Sequence, residues 1–248
     1  MAEGYDRSGS PHGYRRLYCG NCGQPIDVPI HCSSKTCSYC ATARKWRTYH
    51  RLRGLLQHNP QIGHARWQHF VFTVRNTVYL LDGVDLLIRS FRLLRHHPAW
   101  KTRQFGGAYV VEITKSDRGW HPHLHVISYG FFQNAKVIRR LWCRYTGAYH
   151  IFVRPIEGAN IAGYFVKYMA KIPKLPEHDL ETIDRELKNR RLFAHFGTLN
   201  ELKNRYKSQN FVPACRHCGC TKWIPDFMVD QFRAWFPVKP HTPSIHGP

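Results

Sequence analysis

The stretch EITKSDRGWHPHLHV, residues 112–126, carries the strongest structural signal in the sequence. Its middle part combines Asp, Arg and Gly, which predicts a turn, and the flanking runs alternate in polarity as strands do. Because successive side chains of a strand point to opposite faces, His121, His123 and His125 share one face while Leu124 points into the core. The stretch therefore predicts an antiparallel hairpin.

The register of this hairpin decides its chemistry. If Glu112 lies opposite His123, their Cβ atoms are about 5 Å apart on one face, and Glu112, His123 and His125 form a compact metal site with open positions for a phosphate. A slip by one residue would move Glu112 to the other face. His121 is a possible further ligand, although Pro122 disturbs the start of the strand.

Working outward from the hairpin, the periodicity predicts strands and helices in alternation. The fold class is α+β, with a central antiparallel sheet and helices packed on it. The predicted order is helix 42–58, strand 69–76, helix 84–97, strands 108–114 and 121–128, helix 135–147, strand 149–156 and helix 161–171.

The segment GYFVKYMAK ends this pattern. On a helix, Tyr164, Lys167, Tyr168 and Lys171 occupy a sector of about 100 degrees. Tyrosine is a competent covalent nucleophile, and a neighbouring lysine favours phenolate and contacts phosphate. Following the histidine strand by some forty residues, this face is the expected catalytic surface.

Nine cysteines in a chain without a secretory signal favour metal binding over disulfides. Two CxxC pairs separated by fourteen residues suit a four-thiolate structural Zn²⁺ site. A second, three-thiolate cluster could bind another Zn²⁺. The first set is Cys19, Cys22, Cys37 and Cys40, with Cys32 as an alternative ligand; the second set is Cys215, Cys218 and Cys220.

The charge balance indicates a polyanionic partner. Lys and Arg total 37 against 16 acids, a net charge of +21, which favours counterion release on binding nucleic acid. Aromatics lie among the basic residues, as a single-strand-binding surface requires. No apolar run approaches the roughly 18 to 20 residues that cross a bilayer. The sequence therefore predicts a cytoplasmic, nucleoid-associated protein without a membrane partner.

The order FTV (72–74), HLH (123–125) and YFVKYMAK (164–171) resembles the three motifs of HUH-endonuclease replication initiators of the two-tyrosine type. The likeness covers residues 66–173 and extends to initiators of plasmids, single-stranded DNA phages and archaeal viruses. It implies that His123, His125 and Glu112 bind Mg²⁺ or Mn²⁺, and that Tyr168 or Tyr164 attacks. The motif KYMAK favours Tyr168 as the first nucleophile, with Tyr164 making the second cut.

The resemblance also implies the reaction. Such an enzyme nicks and rejoins single-stranded or hairpin origin DNA through a 5′-phosphotyrosine and starts rolling-circle replication. The sequence has no Walker motif for unwinding, so a host helicase and polymerase are expected partners. Two alternatives stay open: a two-tyrosine HUH transposase acting at transposon ends, and a noncatalytic zinc-containing nucleic-acid-binding protein.

The predicted domain organisation follows from these assignments. Residues 1–16 are expected to be disordered, and 17–60 to form a zinc knuckle with a basic helix. Residues 66–173 are the expected endonuclease core. Residues 174–248 are expected to hold a charged helical segment, the C-terminal cysteine cluster and an unstructured tail.

Overall fold

The computed structural model of the chain describes residues 11–32, 34–158, 160–169, 171–205, 214–226 and 228. The chain divides into two compact units, one formed by residues 1–32 together with 209–248, and the other by 33–208. This division differs from the predicted one, which placed residues 17–60 in a single module. The predicted tail at 237–248 lies outside the described residues.

The larger unit contains a five-stranded sheet and seven named helices among its described residues. Its elements, in chain order, are α1 (Ser38–Gln57), β3 (Arg66–Thr73), α2 (Leu80–His96), α3 (Pro98–Lys101), β4 (Gln104–Glu112), β5 (Lys115–Ser116), β6 (Gly119–Trp120), β7 (His123–Gly130), α4 (Ala135–Thr146), β8 (Ile151–Pro155), α5 (Ile161–Val166), α6 (Glu177–Glu186), β9 (Phe193–Gly197) and α7 (Thr198–Arg205).

The sheet of this unit is antiparallel throughout and runs β8-β3-β7-β4-β9. The hairpin predicted from the sequence forms its centre, because β4 pairs with β7 and the short strands β5 and β6 extend the connection. Glu112 lies directly opposite His123. The predicted α+β class, antiparallel sheet and register are therefore confirmed.

One face of the sheet is an apolar core. Phe70 and Phe72 of β3 and Leu124 of β7 are fully buried there against α2, α3 and α4. The rings of Phe72 and Trp142 are 4.6 Å apart between centroids. Burial of such large side chains supplies most of the stability of a layer of this kind.

The other face is covered only in part. Leu52 of α1, Phe165 of α5 and Leu199 of α7 pack on Val110 and Ile127. The alternation of side chains along the strands places the hairpin histidines on this same face, beyond the edge of the apolar contacts. The fold thus leaves one end of this face for polar chemistry.

Two predictions for this unit are wrong in detail. The charged segment from residue 174 was expected to be helical, and it does contain α6 and α7. Between them, however, lies the edge strand β9, whose Phe193 and Phe196 pack on opposite faces of the sheet. The tyrosine helix α5 ends at Val166, five residues earlier than predicted. It is followed by a turn in which Tyr168 N donates to Phe165 O at 3.2 Å.

The smaller unit contains a three-stranded antiparallel sheet. Its strands are β1 (Tyr14–Cys19), β2 (Pro25–Pro29) and β10 (Trp223–Pro225), in the order β10-β1-β2. Residues 14–16, predicted to be disordered, are therefore part of a strand. The sheet joins the two ends of the chain through the pairing of Cys19 with Trp223.

No helix among the described residues is long and apolar enough to cross a membrane.

Candidate functional site

The hairpin brings an acid and two imidazoles together. Glu112 ends β4, and His123 and His125 lie on the facing strand β7. One ligand atom of each residue lies within 4.8 Å of the others, and Glu112 and His125 are 5% and 6% exposed. The predicted ligand set is thus one cluster, able to hold a metal ion. His121 is not part of the cluster; its backbone N–H donates to Thr114 O at 2.8 Å.

Neighbouring side chains fix the orientation of this set. His125 Nε2 lies 2.6 Å from Glu112 Oε2, while its Nδ1 lies 3.2 Å from His69 Nε2. The second contact holds the imidazole so that Nε2 faces the cluster, as outer hydrogen bonds do for metal-binding histidines. Lys171 Nζ contacts the other carboxylate oxygen, Glu112 Oε1.

The protonation of these groups suits a divalent cation. Burial raises the pKa of Glu112, but hydrogen bonds and charge from His125 and Lys171 outweigh it and hold that pKa at about 2. Burial, together with repulsion from neighbouring charges, lowers the pKa of His123 to about 4. At neutral pH the set therefore offers a carboxylate and an uncharged His123 imidazole, the forms that bind metal.

An unsatisfied atom supports the fit. His123 Nε2 is buried and makes no hydrogen bond among the described residues. A buried polar atom without a partner costs about 1 to 3 kcal/mol, and coordination would remove that cost. Two imidazoles and one carboxylate leave coordination positions open, as a catalytic site requires. The cluster fits a divalent metal ion.

The two predicted tyrosines lie at this cluster. The Tyr168 ring stacks on His125, with centroids 3.9 Å apart and planes at 16°. The Tyr164 hydroxyl lies 2.9 Å from His69 Nδ1, and the two tyrosine rings are 6.2 Å apart. The turn after α5, and not a shared helical face, brings the two rings together.

Cations surround the phenols. Arg154 of β8 donates from Nε to the Tyr164 hydroxyl at 2.9 Å. Lys167 lies over both rings, 4.1 Å from the Tyr164 centroid and 5.0 Å from that of Tyr168. Burial raises the pKa of Tyr164, while Arg154 acts in the opposite direction. Of the two predicted lysines, Lys167 therefore faces the tyrosines and Lys171 faces the carboxylate.

Sequence reasoning missed His69 and Arg154. His69 is 2% exposed and its ring stacks beside Tyr168, with centroids 5.3 Å apart. Burial and the neighbouring cationic groups lower its pKa to about 3, so it is neutral. The signal was present: in HFVFTV the alternation puts His69 on the face opposite to Phe70 and Phe72.

The cysteine ligands differ from the predicted quartet. Cys19 and Cys22 group with Cys215 and Cys218, and not with Cys37 and Cys40. The Sγ atoms of Cys19 and Cys218 lie 3.5 Å apart, as do those of Cys22 and Cys215. Thiolates arranged tetrahedrally around zinc at 2.3 Å are about 3.8 Å apart, so this set fits Zn²⁺.

Matching turns explain this pairing. The pairs Cys19/Cys22 and Cys215/Cys218 are each followed by a glycine with positive φ, Gly23 at 70° and Gly219 at 72°. In both turns the glycine N–H donates to the carbonyl oxygen of the first cysteine, at 2.9 and 2.8 Å. Residue 41, after the other CxxC pair, is alanine. The glycine was the signal that could have identified the quartet.

The remaining predicted cysteines lie elsewhere. Cys32 and Cys220 are not in this quartet, and the predicted three-thiolate cluster of Cys215, Cys218 and Cys220 is not found as predicted. Cys220 Sγ instead accepts from the backbone N–H of Lys222 at 3.3 Å. Cys37 and Cys40 lie at the start of α1.

Comparison of the chain with protein-family profiles, curated proteins and solved structures finds no match.

Proposed function

We propose that this protein is a metal-dependent enzyme that nicks and rejoins single-stranded DNA through a tyrosine and so starts rolling-circle replication. One observation carries the proposal: a carboxylate–histidine cluster able to hold a metal ion lies in contact with the tyrosine pair, because Tyr168 stacks on the ligand His125 at 3.9 Å. A net charge of +21 supports DNA as the substrate.

The contacts indicate the role of each residue in the reaction. Mg²⁺ or Mn²⁺ bound by Glu112, His123 and His125 would polarise the scissile phosphate and offset its developing charge. A tyrosine oxygen attacks phosphorus, the bond to the 3′ oxygen breaks, and a 5′-phosphotyrosine and a free 3′-hydroxyl result. Lys167, which lies over both phenol rings, stabilises the phosphate charge next to them.

We assign the first attack to Tyr168. Its ring lies against the ligand His125, whereas the Tyr164 hydroxyl is engaged by His69 and Arg154. Arg154 donates to the Tyr164 oxygen, and its positive charge favours the phenolate form of Tyr164. Tyr164 then makes the second cut, and the phosphotyrosine bond energy allows resealing without ATP.

A labelled single-stranded oligonucleotide tests the reaction. We expect a DNA adduct that survives SDS, forms with Mg²⁺ or Mn²⁺, and disappears with EDTA. Tyr168→Phe should abolish the first adduct and Tyr164→Phe should spare it. If the double variant still forms an adduct, the tyrosine assignment is wrong. An oligonucleotide that is bound but left intact by the wild-type protein would indicate a binding protein.

We also propose that the quartet Cys19, Cys22, Cys215 and Cys218 binds structural Zn²⁺. A small unit with little apolar core depends on such a site for its folding. Metal analysis of the purified protein should find zinc, and Cys22→Ser should lower its content by one ion per chain. Cys143→Ser is the matched control, because Cys143 lies on α4 outside the quartet. Equal zinc content in the two variants would contradict the assignment.

A further inference from the structure

A cavity of about 330 Å³ opens beside the tyrosines within the larger unit. It lies between the first turns of α1, the segment leading into β9 and the turn after α5. Tyr168 and Lys171 form part of its wall. Tyr168 also stacks on His125 and Lys171 contacts Glu112, so the cavity shares two wall residues with the surroundings of the proposed metal site.

The wall of this cavity is strongly basic. It carries six cationic side chains and, among the described residues, no acidic one: Lys35, Arg44, Arg47, Lys171, Arg190 and Arg191. Arg190 is paired with Asp85 at 2.7 Å, and Arg44 donates to the backbone oxygens of Ser34 and Lys35. Arg47 and Arg191 are exposed at the rim. The charge favours an anionic occupant.

The floor of the cavity is apolar. It is formed by side chains of the sheet and its neighbours: Val110, Val111, Ile113, Ile183, Leu192 and Phe193. A basic rim over an apolar, partly aromatic floor matches an occupant with a flat apolar part and attached phosphates. Single-stranded nucleic acid has this chemistry, because its bases stack on side chains while its phosphates contact cations.

We propose that this cavity holds one unpaired nucleotide of the substrate strand, one of the two nucleotides that the scissile phosphate joins. Its base lies on the floor near Phe193, and the phosphates beyond it contact Arg47 and Arg191. The volume is at the lower end of the roughly 300 to 1,000 Å³ found for small-ligand sites, which suits a single nucleotide. This inference rests on the proposed function and explains a requirement for unpaired DNA.

A binding experiment without catalysis tests the charge. Fluorescein-labelled dT12 is titrated in EDTA against the full-length protein, its Arg47→Ala/Arg191→Ala variant, and Arg139→Ala/Arg140→Ala as the control. The control removes the same charge from exposed positions on α4, on the other side of the sheet. We expect roughly tenfold weaker binding for the first variant, with a salt slope smaller by about 1.4 for two lost phosphate contacts. Equal effects of the two variants would overturn the proposal.

A crosslinking experiment tests the base. Photoactivated dT12 containing 4-thiothymidine should react in the peptides that carry Met169 or Phe193, and Thr48→Trp, which fills the cavity, should remove these crosslinks while melting stays unchanged. Crosslinks confined to other peptides would overturn the proposal. Both measurements omit the metal and detect DNA binding alone. A failure of DNA cleavage can therefore be distinguished from a failure of this binding site.

Discussion

The two faces of the five-stranded sheet are built from the same strands but have different roles. One face buries Phe72 and Leu124 completely. The other presents Glu112, His125 and His69, all at least nine-tenths buried and linked to one another through His125. Because side chains alternate along a strand, the residues that stabilise the core and the residues of the candidate site lie on opposite faces of the same strands. The following substitutions test that separation.

The largest effect is expected at the carboxylate on the chemical face. Glu112→Gln keeps the shape and the hydrogen-bonding capacity but removes the charge that holds the ion. We expect DNA cleavage to fall by about 10⁴-fold, roughly 5 kcal/mol of transition-state stabilisation, with an unchanged melting temperature. Glu157→Gln, at an exposed position, is the control in the same nicking assay. Activity within tenfold of wild type would contradict the metal assignment.

A core substitution on the opposite face should lower the stability of the protein and leave DNA cleavage unchanged. Phe72→Ala removes a fully buried ring, and such changes cost about 3 to 5 kcal/mol of unfolding free energy. Urea denaturation measures this loss, while cleavage well below the melting temperature should stay near wild type. Phe132, 79% exposed, gives the matched control, for which the alanine variant should change stability by less than about 0.5 kcal/mol. A loss of cleavage by folded Phe72→Ala would show that the faces are coupled.

His69 sharpens the comparison because it is buried like a core residue but bonded like a site residue. His69→Ala should lower the affinity for Mn²⁺ and the cleavage rate by about 10- to 100-fold, since it orients His125. Calorimetric titration of Mn²⁺ and single-turnover cleavage measure the two quantities. His69→Gln should recover part of both. An effect on stability alone would assign His69 to the core.

The smallest effect concerns His195, a half-buried imidazole on the chemical face, paired with Ala108. Burial, followed by repulsion from Lys203 and Arg51, lowers its pKa from 6.5 to about 4. The unfolded chain therefore takes up a proton below pH 6.5 that the folded chain refuses, and stability falls as the pH drops from 6.5 towards 4. His195→Leu should remove roughly 2 kcal/mol of the stability lost between pH 7 and pH 5. Denaturation at both pH values measures this, with the exposed His96→Leu as control; equal pH dependence in both variants would refute it.

The sequence predicted the sheet and its register because both depend on local alternation. A period of two in HPHLHV fixes which histidines share a face, and the short turn then sets Glu112 opposite His123. The strand β9 could not be predicted in this way, because its five residues are stabilised by pairing with β4 and not by their own pattern. Tertiary contacts likewise end α5 at Val166.

The same distinction between local pattern and tertiary contact applies to the residues of the candidate sites. The metal ligands and the two tyrosines could be predicted from the sequence, because the residues of each group lie close together along the chain at a regular spacing. The cysteine quartet could not be predicted, because one CxxC motif supplies only half of its ligands. The other half lies 193 residues away along the chain. His69 was missed since its role comes from Tyr164 and His125, which approach it only in the fold.

The distance between the two halves of the thiolate quartet also orders events during synthesis. The first pair emerges from the ribosome 193 residues before its partners, which at about 5 to 20 residues per second is an interval of roughly 10 to 40 seconds. The larger unit is complete by residue 208 and is free to fold first. A message truncated before codon 215 would yield the sheet and its site with only two of the four thiolates of this cluster.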